Sequence, residues 1–155
     1  MLILLLWVLV SAGQDLRSQR IDNRLLYPFL LLAVLWLLIN AESLAGVSVI
    51  DALAGLGCAL ALTVPGHIKG VLGGGDVKLM AGIGLTVGAM MTLLVIIIAG
   101  LLFVLWAVAA ARLPRSAQLF LQRHAQGLSS QQGHIAYGPF IFLALAALYT
   151  LIRLY

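Results

Sequence analysis

The sequence predicts an all-α fold, a polytopic transmembrane helix bundle of about six membrane helices with its amino terminus outside, and three observations carry that prediction. Of 155 residues, 63% are hydrophobic and 9% charged, with a mean hydropathy of +1.14. A soluble domain typically carries about 25% charged residues, so this chain has too little polar surface to cover a core in water. The apolar residues also fall into separate runs, divided by charges, Gly, Pro and Asn. The basic residues, finally, cluster in the connections between alternate runs, as Lys and Arg do on the inner side of a membrane.

Six apolar segments result: Leu2 to Leu16, Leu25 to Ile39, Val47 to Val64, Asp76 to Val87, Met90 to Ala111 and Ile135 to Ile152. The first could pass for a signal peptide ending at Val10-Ser11-Ala12. No basic residue precedes it, however, while Arg17, Arg20 and Arg24 follow it, so a retained first membrane helix is expected. Leu2 to Gly13 supplies only about 18 Å of helix against a hydrocarbon core of about 30 Å, so either the helix continues past Asp15 or the start lies upstream. Only the fifth segment is long enough to span unaided; the others call for local thinning, tilt or a water-accessible cavity.

An outside amino terminus places the connections 17–24, 65–75 and 112–134 in the cytoplasm. They hold Arg17, Arg20, Arg24, Lys69, Arg112, Arg115 and Arg123, with Lys78 close by and only Arg153 on the outer side. One integral membrane domain spanning residues 1–155 is the economical organisation. The net charge of +4 comes from helix ends, which argues for contact with membrane lipid and against nucleic acid. In the longest connection Ala117, Phe120, Leu121, Ala125 and Leu128 recur at helical spacing, a pattern suited to a helix lying on the inner membrane surface. The lone Cys58 excludes a disulfide within the chain and a cysteine zinc site, and His67, His124 and His134 lack ligand spacing, so no metal or cofactor is expected. The histidines are taken as ordinary surface residues.

Charge at membrane depth costs about 2.5 to 3.5 kcal/mol per group, so each of the five carboxylates calls for a reason. Glu42 lies in an outer connection, Asp51 suits the start of the third helix, and Asp22 sits among arginines. Asp15 and Asp76 differ, because each adjoins an apolar helix at the same predicted membrane face. Asp76 follows the run Gly73, Gly74 and Gly75, which lets another backbone approach closely and offers conformations closed to other residues, and is a candidate substrate-binding element. Lys and Ser or Thr do not follow the glycines, which excludes a phosphate loop. Lys78 falls about 200° around the helix from Asp76 and is expected to reach headgroups. Two carboxylates a few ångströms apart in a partly dry site share one proton, and such a pair can act as base and acid on a water that attacks a peptide bond.

Three segments then resemble the type IV prepilin peptidase family, in particular its short, peptidase-only members of tight-adherence (Flp) pilus systems. Asp15-Leu16-Arg17 with Arg20-Ile21-Asp22-Asn23 looks like its first motif, with Asp22 where Pro is usual. Gly73 to Leu79 is similar to its Gly-x-Gly-Asp motif. Ala136-Tyr137-Gly138-Pro139-Phe140 resembles its closing Pro-Tyr-Gly-Pro-like element, with Ala136 where Pro is common. The resemblance implies an aspartic endopeptidase, with Asp15 and Asp76 catalytic, that cuts the basic leader of a prepilin or pseudopilin substrate at the cytoplasmic face of the bacterial inner membrane. The family's Cys-x-x-Cys insertion has no counterpart here, so peptidase activity without that insertion is expected. A small proton- or ion-coupled transporter and a non-catalytic pilus assembly subunit are the alternatives.

Overall fold

A computed structural model describes residues 2–18, 22–70, 72–112 and 137–154. Among them are five helices and no named strand: α1 (Leu2–Ser18), α2 (Asn23–Asn40), α3 (Val49–Ile68), α4 (Gly74–Ala111) and α5 (Gly138–Leu154). Three of these, α2, α3 and α4, are long and apolar enough to cross a membrane. Leu6, Leu31, Leu53, Ile97, Leu105 and Leu143 all point outward, and so much exposed apolar surface belongs in lipid. The chain is a membrane protein.

Helix α1 does continue past Asp15, as far as Ser18. It is tied to α2 by Trp7, whose indole stacks on Phe29 at 3.8 Å and whose Nε1–H donates to the Leu25 carbonyl at 3.1 Å. Asp22 begins α2 in an extended conformation and accepts a hydrogen bond from the Arg24 backbone N–H at 3.0 Å. That bond caps the helix start. Helix α3 begins at Ser48, whose side chain accepts from the Asp51 N–H, and runs through Pro65 to Ile68. The sequence had placed Pro65 in a connection; the helix absorbs it and gains a further turn.

The fourth and fifth predicted segments form one helical run that is broken at Gly88 (φ 81°, ψ 179°). That backbone region is essentially closed to any residue with a side chain. On a straight helix Met80 and Gly100 would lie about 30 Å apart. Instead Met80, Ile96, Gly100 and Phe103 line one pocket, so the arm 89–111 runs back alongside the arm 74–87. The break is satisfied from outside α4. Ala89 N–H donates to Asp51 Oδ1 at 3.1 Å, and the Thr86 carbonyl accepts from the Ser43 hydroxyl at 2.6 Å. Asp51, in the first turn of α3 as its position had implied, therefore also caps the returning arm of α4.

The arm 74–87 occupies the centre, with every residue from Leu79 to Gly88 buried. Helices α2, α3 and α5 pack around α4, and α1 lies mainly against α5. At the crossing of α3 with this arm Gly55 faces Gly84, and a Cβ on either would run into the other's backbone. Small residues of this kind let membrane helices approach closely and gain contact energy without a hydrophobic driving force. Lys78 also reaches α2: its ammonium donates to Asn23 Oδ1 at 2.7 Å and to the Tyr27 hydroxyl at 3.1 Å, pinning α2 to the central arm. The amphipathic stretch 117–128, the segment Arg20-Ile21 and Ala136 lie outside the described residues.

Candidate active site

The carboxyl end of α1 and the amino ends of α4 and α5 meet at one end of the bundle. Asp15 sits in the last turn of α1, buried, and its Oδ2 accepts a hydrogen bond from the N–H of Gly138, the first residue of α5, at 2.8 Å. Such an N–H at a helix start has no partner within the helix, and a carboxylate suits it both as acceptor and as a charge at the dipole's positive end. Asp76 lies in the first turn of α4, also buried, and its Oδ2 accepts from the Gly73 N–H at 3.3 Å. Its Oδ1 is fully enclosed and accepts no hydrogen bond from any described residue.

The two carboxylates are near enough for their charges to interact. Tyr137 stands beside them, immediately before Gly138, and its charge also couples to Asp76. Burial first, and then the Asp76 carboxylate, push the Tyr137 phenol above its ordinary range, so it stays a hydrogen-bond donor through neutral pH. Its ring is held edge-on by Phe103 and its hydroxyl reaches toward Gly100. From there an apolar groove opens between α3 and the returning arm of α4, lined by Leu62, Leu72, Met80, Phe103 and Val104.

The glycine run behaves differently from its sequence reading. None of Gly73, Gly74 and Gly75 takes a positive φ, and Gly74 and Gly75 already belong to the first turn of α4. Lack of a side chain matters there for space: a Cβ on Gly73 would lie 3.2 Å from Asp76 Oδ2, and one on Gly74 would lie 3.4 Å from the His67 ring. All three remain half-buried beside Asp76. Among the described residues no group of three His, Cys, Asp or Glu side chains converges as metal ligands would.

A sequence model of the type IV leader peptidase family matches residues 2–108, which cover α1 to α3 and nearly all of α4. The chain belongs to the type IV leader peptidase family. Neither a curated protein nor a solved structure matches it. Asp15, Gly73 and Asp76 of this leader peptidase chain fall within the matched span, whereas Tyr137 and Gly138 lie beyond it and join the site through the fold. The sequence reading noted the segment that holds these last two residues but gave them no part in the site. It took His67 as an ordinary surface residue; the ring is exposed and lies beside Gly74. The signal available for Gly138 was its place at a helix start just after a tyrosine, in a chain with few carboxylates to cap it.

Proposed function

We propose that this chain is an aspartic endopeptidase of the cytoplasmic membrane of a bacterium, cutting the basic leader of type IV or Flp prepilins or pseudopilins at the inner face. Asp15 and Asp76 are its two working carboxylates, and the glycine run 73–75 lies where the substrate backbone passes. The observation that carries the reading is the approach of Asp15 and Asp76, 61 positions apart in the chain, at one end of the bundle, with the Gly138 N–H on Asp15 and Tyr137 within electrostatic reach of Asp76. One carboxylate, ionised, takes a proton from water as that water attacks the peptide carbonyl. The other, protonated, hydrogen-bonds the developing oxyanion and then returns its proton to the departing amine. The enclosed Asp76 Oδ1 accepts no bond from a described residue, so its hydrogen-bonding capacity is unspent until the site opens to substrate or water. The apolar groove beside Tyr137 supports a substrate that arrives within the membrane.

The fold-back at Gly88 supports six crossings, and the arginine-rich connections support an outside amino terminus. A transporter would need its carboxylates near the middle of the bundle; these lie at helix ends. The test is co-expression with a prepilin: Asp15→Asn and Asp76→Asn should each leave the leader uncut while the protein still inserts and accumulates. Normal processing by either variant would overturn the dyad, and the same assay separates an enzyme from an assembly subunit that merely binds pilins.

A further inference from the structure

We propose that His67 is a positioning residue for Asp76, acting through the single peptide group that joins Leu72 to Gly73. The inference rests on the reading of Asp76 as a working carboxylate. His67 lies in the last turn of α3, in the part of the helix that runs beyond Pro65. Its Nδ1 stands 3.0 Å from the Leu72 carbonyl oxygen. A carbonyl oxygen can only accept, so Nδ1 carries the hydrogen and donates it. On the opposite edge of the same peptide group, the Gly73 N–H donates to Asp76 Oδ2 at 3.3 Å.

Because the peptide unit is planar, its carbonyl and its N–H cannot be aimed independently. Holding Leu72 O with the imidazole therefore fixes the direction in which Gly73 N–H points, and with it the rotamer of Asp76. Hydrogen bonds in series also polarise one another, so the bond accepted by the carbonyl makes the amide a better donor to the carboxylate. The imidazole is exposed and has the start of α4 beside it. Gly74 packs against its Cε1 and Nε2 edge, at 3.4 and 3.7 Å from where a Cβ would be. The intervening turn is closed by Gly70 N–H to the His67 carbonyl at 2.9 Å and by Leu72 N–H to the Gly66 carbonyl at 3.2 Å. Orientation is thereby passed from the end of α3 to the carboxylate at the start of α4.

The test compares His67→Leu, His67→Asn and His67→Gln in the purified full chain, with kcat and KM measured on a prepilin substrate in detergent. The Asn amide nitrogen falls close to the Nδ1 position, whereas that of Gln falls close to Nε2. His67→Leu and His67→Gln are expected to lose about three- to tenfold in kcat with KM little changed, the factor one ordinary hydrogen bond supplies. His67→Asn is expected to recover most of it. A fully active His67→Leu, equal rescue by Asn and Gln, or a loss confined to KM would overturn the proposal. If the Leu variant accumulates poorly, the Asn and Gln comparison decides alone, since both carry the same amide and place its donor at different reach. Asp76→Asn is assayed in parallel: an active Asp76→Asn removes the proposed function itself, whereas an inactive one beside unaffected His67 variants removes only the positioning role.

Discussion

Replacing Gly138 by Ala is the sharpest probe of Asp15. Gly138 is fully helical and needs no special backbone conformation, so the methyl itself is the whole perturbation. It would stand 2.9 Å from Asp15 Oδ2, 3.2 Å from Asp15 Cβ and 3.4 Å from Ala12 Cα. Nonbonded contacts settle at about 3.5 Å, so the carboxylate oxygen must retreat by about 0.6 Å. Added to the present 2.8 Å, that takes the Gly138 N–H bond to about 3.4 Å, well past the usual value of about 2.9 to 3.0 Å, and weakens it. A hydrogen bond to a charged group contributes about 1.5 to 3 kcal/mol, which corresponds to about ten- to hundredfold in kcat/KM if it acts in the reacting state. The assay is leader cleavage by purified protein, with Gly13→Ala as control, because a Cβ there meets nothing within 4 Å although it lies on the same helix two residues from Asp15. Wild-type cleavage by a well-folded Gly138→Ala would refute the argument that this contact orients a working carboxylate.

Three further outcomes follow from the same structure. Gly88→Ala should destabilise the protein by at least about 1 to 3 kcal/mol, read as a lower Tm in detergent, because the side chain meets both a forbidden backbone conformation and the Asp51 carboxyl carbon at 2.9 Å. Asp51→Ala should cost about 1 kcal/mol by removing the cap on Ala89, while Asp51→Asn, which keeps the acceptor, should melt close to wild type. Lys78→Met should lower stability by about 1 to 2 kcal/mol through loss of the bonds to Asn23 and Tyr27, and methionine elsewhere on α4 at an outward position such as Ile97 should not.

The helical class and the break between the fourth and fifth segments were legible because both rest on local chemistry: long apolar runs, and a glycine between Val87 and Ala89. Asp15 and Asp76 were legible as candidates because carboxylates are so scarce in this chain. The partners were not. That Asp51 would cap a different helix depends on how the connection 41–48 folds over the break, with Ser43 bonded to Thr86. Ending α3 at Val64 left His67 with no neighbour to act on, since only the turn beyond Pro65 brings the imidazole to Gly74. Lys78 was assigned by its angle from Asp76, and angle alone gives no account of the α2 residues waiting on that side.

Because the arm 74–87 is sleeved by its neighbours, hydrocarbon tails press on the surrounding helices and barely on the rod that bears Asp76. Membranes of different thickness are met by tilt of the outer staves, at fractions of a kcal/mol per ångström, around a spindle that holds still. Across lipid mixtures the Asp76 end of the site should therefore stay put, while Asp15, carried on the outer helix α1, keeps its place only through its bond to Gly138 of α5.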